Sequence, residues 1–153
     1  YTTLFRSRMP PTNRNAKLAN MPAETYVMDA SALLALARGE RGADVVQDYL
    51  DSAQCVISSV NLAEVGSKLV DLGLPQSELS RALKQFNVDV VDFGFELAVQ
   101  TSVLRDKTKA QGLSLGDRAC LALAQQFDAA AVTADSAWQK IDADLKIKFL
   151  LIR

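Results

Sequence analysis

The chain contains no histidine, and this absence excludes a wide range of chemistry. Ser-His-Asp and Cys-His nucleophile systems, histidine general bases and the commonest zinc sites all need an imidazole. Any hydrolytic chemistry must run on carboxylates, hydroxyls, amines or an oxygen-bound metal. Cysteine is scarce as well. Cys55 and Cys120 lie far apart in apolar segments with no C-x-x-C pairing, so buried free thiols are expected. No apolar run approaches the ~18 residues that span a bilayer. The start also lacks the continuous apolar stretch of a secretory signal. A cytoplasmic setting with no membrane partner is the expectation.

What remains is a chain of 153 residues, 49% hydrophobic and 23% charged, which suits one globular domain with a sizeable core. The formal charge of −1 is unevenly spread. Residues 1–24 hold Arg6, Arg8, Arg14 and Lys17 against the single acid Glu24, a net charge of +3, which leaves −4 for the rest. A globally basic nucleic-acid binder does not look like this, so any attraction to RNA must be local. Residues 1–24 also carry Pro10, Pro11 and Pro22 and no usable periodicity. They read as a disordered leader. The opening "YTTLFRS" looks like translated adapter DNA, which would put the natural start at Met9 or Met21.

From residue 25 to 153 short β-rich runs alternate with helical patterns. Strands are expected at Tyr26–Met28, Cys55–Ser58, Val88–Val91, Ala130–Thr133 and Ile147–Ile152. Helical periodicity covers Ser31–Arg38, Ala43–Leu50, Leu62–Leu72, Gln76–Phe86, Glu96–Lys109, Leu115–Phe127 and Ser136–Ile141. Strands separated by helices imply an α/β fold, a parallel sheet with right-handed crossovers and helices on both faces.

Four acids stand out in this pattern. Asp29 follows the first strand in "YVMDASALLAL", and Asp135 follows the fourth in "AVTADSAW". Glu64 lies early in the helix after the second strand, in "VISSVNLAEVGSKL", and Asp117 sits in the first turn of "GLSLGDRACLALA". Each has a purely structural reading. Asp29 and Asp135 occupy N-cap positions, Ser114 and Asp117 form an S-x-x-D capping pattern, and Glu64 can be an exposed helix residue. Together they mean more. In an open parallel sheet the strand C-termini and the following helix N-termini share one edge, where ligands bind. Carboxylates gathered there repel and raise one another's pKa unless a cation joins them. Without His or Cys, the natural cation is a hard one, Mg²⁺ or Mn²⁺. Such a cluster suits metal-assisted phosphodiester hydrolysis.

These four stretches, in this order, resemble the successive motifs of PIN-domain nucleases, and within them the VapC-type toxins of toxin–antitoxin pairs. The resemblance covers about residues 25–153. It implies a three-layer α/β/α fold and a metal-dependent ribonuclease whose acidic cluster is Asp29, Glu64, Asp117 and Asp135. It also implies that Ser31 and Thr133 set hydroxyls near the metal and the fourth acid, and that an RNA substrate, a cognate antitoxin and a homodimer are the partners. Arg118, Arg38 and Lys68 are candidates for RNA phosphates, as are Arg41 and Lys140; each can equally be a surface cation. Trp138 can stack on a base, though packing of the last short helix is the expected role. "PQSELSRALKQF" with the helix before it forms a helical hairpin. In resembling families that region serves dimerisation and antitoxin binding, and core packing of Leu79, Leu83 and Phe86 is the simpler alternative. Three further readings stay open: a PIN nuclease of RNA processing, a non-catalytic scaffold whose acids only cap helices, and a receiver domain. The last lacks the lysine expected late in its sheet.

Overall fold

A computed structural model describes residues 24–141 and 143–153. The expected leader, apart from Glu24, lies outside them. The chain runs β1 (Thr25–Met28), α1 (Ala30–Arg38), α2 (Ala43–Ser52), β2 (Gln54–Ser58), α3 (Ser59–Asp71), α4 (Gln76–Gln85) and β3 (Asp89–Val91). It continues through α5 (Phe95–Thr108), a 3₁₀ turn (Lys109–Gln111), α6 (Leu115–Gln126) and β4 (Ala130–Thr133). Two further 3₁₀ turns, Ser136–Lys140 and Ala143–Leu145, precede β5 (Phe149–Leu151).

The described strands form one sheet in the order β3-β2-β1-β4-β5, and every pairing is parallel. Side-chain alternation assigns the two faces. Met28, Ile57 and Val132 point into one apolar cluster with Leu33, Val46, Leu69 and Phe86. Their neighbours Val27, Val56 and Ala131 point into the other, with Leu97, Leu104, Leu121 and Trp138. Helices α1 to α4 therefore cover one face and α5 and α6 the other. This is a three-layer α/β/α fold. The chain leaves β1 toward β2 and β3, then returns to add β4 and β5 on the opposite side. The switch point lies between β1 and β4, where open sheets of this kind bind ligands.

Three expectations change most. Helix α3 begins at Ser59 rather than Leu62, because the Ser58 hydroxyl accepts the Val60 N–H at 3.3 Å and caps the helix earlier. The segment after Asp135 is a 3₁₀ turn rather than an α-helix. Strand β5 shortens to three residues, after Lys146 takes a left-handed φ of 51°. Trp138 is fully buried and meets Phe149 edge-on, with ring centroids 6.1 Å apart. It packs the core. Cys55 and Cys120 are buried and form no disulfide. In the α3–α4 hairpin, Leu79 and Leu83 lie against Gly66 and Phe86 is buried, as simple core packing requires.

Candidate active site

Asp29 is the first residue past β1, and its N–H donates to Val132 O at 2.9 Å, extending the ladder to β4. Its extended backbone lets the carboxylate turn back over α1 as N-cap. Three donors converge on Oδ2: the Ser31 hydroxyl at 2.5 Å, the Thr133 hydroxyl at 3.0 Å and the Ser31 N–H at 3.4 Å. Among the described residues Oδ1 receives only the Asn61 amide, at 3.5 Å. One oxygen is saturated and the other is nearly unclaimed. The hydroxyls are held in turn, since Ser31 Oγ accepts the Ala134 N–H at 2.9 Å and Thr133 Oγ1 accepts the Asp135 N–H at 3.1 Å. The ends of β1 and β4 are thus tied through one carboxylate.

Asp29 is 3% exposed, and its pKa is pushed up to about 6. Burial is the largest cause; the Ser31 hydrogen bond opposes it, the Asp117 charge adds to it, Thr133 opposes it and Glu64 adds to it. Glu64 is exposed on α3 and is also raised, by partial desolvation first and then by Asp117, against the favourable charge of Lys68. Cys120, fully buried on α6, is raised by burial and then by Asp29, Asp117 and Glu64. The same three carboxylates recur, so they share one field.

Asp117 completes a capping box at the start of α6. The Ser114 hydroxyl accepts the Asp117 N–H at 3.1 Å, and the Ser114 N–H donates to Asp117 Oδ2 at 2.7 Å. Glu64 reaches α6 because residue 116 is glycine: a Cβ there would lie 2.7 Å from Glu64 Oε2. Asp135 Oδ1 caps the following turn through the Ala137 N–H at 2.9 Å. Thr133 joins it to Asp29, since the same hydroxyl donates to Asp29 Oδ2 and accepts the Asp135 N–H. Asp29, Glu64 and Asp117 act on one another through their charges.

The cationic candidates also separate. Lys68 stands one helical turn from Glu64 and is exposed. Arg38 pairs with Glu40 at 3.2 Å, and Glu40 also accepts Arg153. Arg118 is half-buried and donates to Thr101 O on α5 at 3.1 Å, so its guanidinium ties two helices. Arg41 and Lys140 are exposed. A residue that sequence reading passed over is Asn61, fully buried on α3, whose amide donates to Gly116 O at 3.0 Å. Its only sequence signal is a position three residues before Glu64, on the same helical face.

Among the described residues no three His, Cys, Asp or Glu side chains converge closely enough to hold a metal ion as they stand. The donor chemistry nonetheless fits a hard divalent cation. All donors are oxygens, Asp29 Oδ1 is almost free, and Asn61 Oδ1 is buried with no hydrogen-bond partner.

Comparison with known proteins agrees with this geometry. The family model of the PIN domain matches residues 26–144. No curated protein matches the chain. Among solved structures, a DNA-bound VapBC from Salmonella typhimurium superposes with a TM-score of 0.65 at 15% identity, covering 85% of this chain and 99% of that one. A toxin–antitoxin complex from Klebsiella pneumoniae gives 0.63 at 19%, covering 84% and 98%. PAE2754 from Pyrobaculum aerophilum gives 0.50 at 25%, covering 83% and 85%. With the acids at the switch point of a parallel α/β/α sheet and the family model spanning most of the chain, the protein belongs to the PIN domain family.

Proposed function

We propose that the chain is a Mg²⁺- or Mn²⁺-dependent endoribonuclease, acting as the toxin of a toxin–antitoxin pair. PIN domains of VapC toxins form a nuclease family, and the similar toxin–antitoxin complexes support a protein antitoxin as partner. The observation that carries the reading is Asp29, a carboxylate buried among other acids with one oxygen nearly unclaimed. A helix cap gains nothing from that burial, whereas coordinating a cation would compensate the buried charge.

In this reading Asp29, Glu64 and Asp117 hold the cation, with Asp135 as the fourth acid. When bound, the cation supplies positive charge that acidifies water and offsets charge developing on the phosphate. Ser31 and Thr133 fix Asp29 through Oδ2 and leave Oδ1 available. Lys68, exposed beside Glu64, offers a cation to the RNA backbone. A homodimer belongs to the same proposal, and α5 leaves Phe95, Val99 and Val103 exposed at helical spacing. A cytoplasmic location is proposed too; no described helix is long and apolar enough to cross a membrane.

The scaffold reading also has an observation in its favour, because Asp29, Asp117 and Asp135 all cap helices or turns. Cleavage of RNA by the purified chain, with Mn²⁺ and with a chelator, separates the two. We expect cleavage only with the metal, and growth arrest on expression that Asp117→Asn relieves. Growth unaffected by well-expressed, folded protein would move the assignment to RNA processing; absence of cleavage under both conditions would favour the scaffold.

A further inference from the structure

We infer that Asn61 is a positioning residue that registers all three clustered carboxylates of the site, an inference that rests on the nuclease reading above. Asn61 has no solvent exposure. Its Nδ2 donates to Gly116 O at 3.0 Å and reaches Asp29 Oδ1 at 3.5 Å. Gly116 immediately precedes Asp117 in α6, and Asn61 lies one turn before Glu64 on α3. One amide therefore touches Asp29, holds the first turn that carries Asp117, and shares a helix face with Glu64.

The orientation of that amide is determined by its neighbours. Both groups facing Nδ2 are acceptors, so turning the amide over would set oxygen against oxygen. Oδ1 is consequently left buried with no hydrogen-bond partner among the described residues. A buried acceptor without a donor destabilises a fold. The hydrogen bond to Gly116 O offsets part of that cost, but a residue kept for packing alone would be better replaced by an isosteric leucine.

The closeness of the seam supports the same role. A Cβ at Gly116 would lie 3.5 Å from Asn61 Nδ2 and 2.7 Å from Glu64 Oε2. The bare backbone at this position leaves room for the Glu64 carboxylate against α6, and Asn61 packs beside it at ordinary contact distance. Asn61 converts that proximity into a fixed distance, because it hydrogen-bonds the α6 carbonyl directly. Without it, Asp29 Oδ1 loses its one hydrogen bond among the described residues and α6 its amide tie to α3, and the acids no longer present a common set of oxygens.

The test is calorimetric titration of Mn²⁺ into wild type, Asn61→Leu and Asn61→Ala, with RNA cleavage and metal-free melting midpoints measured on the same samples. The positioning role predicts an unchanged or higher metal-free midpoint for Asn61→Leu. It also predicts Mn²⁺ affinity weaker by about 10–100-fold and cleavage reduced in parallel, the range for groups that orient metal ligands. A purely structural residue would not alter the affinity of the folded fraction. Wild-type Mn²⁺ affinity and cleavage in folded Asn61→Leu would overturn the inference and leave the nuclease reading intact. Metal-free midpoints far below wild type in both variants would assign Asn61 to the fold and overturn it as well. A wild-type chain that neither binds Mn²⁺ nor cleaves RNA would remove the nuclease reading, and this inference with it.

Discussion

Asp29 and Asp117 are both aspartates at the start of a helix, both hydrogen-bonded to a nearby serine, and they sit in different physical situations. Asp29 is sealed between β1 and β4, with three donors on one oxygen and a pKa raised to about 6. Asp117 is half-exposed at the rim, its carboxylate closing a capping box with Ser114. Local capping accounts for the conformation of Asp117. It does not account for Asp29, whose burial disfavours its own charge. The β1–β4 side of the site is preassembled and strained electrostatically, while at the α3–α6 seam the Glu64 and Asp117 side chains stand nearer to solvent. The comparison teaches that an N-cap position alone does not identify a functional acid, whereas burial among like charges does.

The comparison breaks most visibly at Asp29. Asp29→Asn should cut RNA cleavage by more than about 100-fold, beyond the loss typical of groups that merely orient ligands. Metal-free stability at neutral pH should stay level or rise, by up to about 3 kcal/mol, because a shift from 3.8 to about 6 corresponds to that much disfavoured charge. Denaturant midpoints in chelator, beside a cleavage assay, check both halves. A clear loss of stability would mean that Asp29 serves the fold.

The pH dependence sharpens the same point. The folded state holds the Asp29 proton more tightly than the unfolded chain, so it binds more protons between pH 3.8 and about 6. Stability from this group is therefore present at low pH and lost as pH rises through that window. Glu64, also raised, adds in the same direction. Metal-free wild type should lose stability relative to Asp29→Asn between about pH 4 and 7, by an amount of the order given above. Parallel curves would show that Asp29 titrates normally.

At the α3–α6 seam, Gly116→Ala should displace the Glu64 carboxylate, since the new Cβ would fall 2.7 Å from Oε2. The clash is with the end of a flexible side chain, and alanine gains roughly 0.5–1 kcal/mol over glycine within a helix. The fold should hold while cleavage falls about tenfold, a loss at the lower end for disturbed metal surroundings. Retained cleavage would mean that Glu64 has no part in the chemistry. The smallest effect belongs to Ser114→Ala, which removes the capping box at a cost of about 1 kcal/mol. Cleavage should change little, because Asp117 keeps its carboxylate; a thermal melt and the same assay read both.

Much of the architecture was legible because its signals are local. The cap at Asp29 and the Ser114–Asp117 box lie within three residues of chain, and the strand–helix alternation set the fold class. The strand order was not legible locally, since β1 meets β4 across about a hundred residues of chain. Helix α3 started early because Ser58 caps it, a signal hidden in a run that otherwise reads as strand. Asn61 escaped notice because a lone asparagine in a helical pattern normally faces water. Arg118 read equally as a phosphate contact or a surface cation, and only tertiary packing sets its guanidinium against Thr101 on α5. A common edge for Asp29, Glu64, Asp117 and Asp135 was expected from the parallel sheet, but the Thr133 hydroxyl that links Asp29 to Asp135 depends on a turn whose geometry no spacing rule gives.

The central claim is that the acids exist to hold a divalent cation. Thermal melts of wild type and Asp29→Asn, each in chelator and in excess Mn²⁺, test it most directly. Wild type should gain about 2.7 kcal/mol at a hundred-fold excess over its dissociation constant, and Asp29→Asn should gain far less at the same concentration. Equal stabilisation of both proteins, or none of the wild type, would contradict the claim.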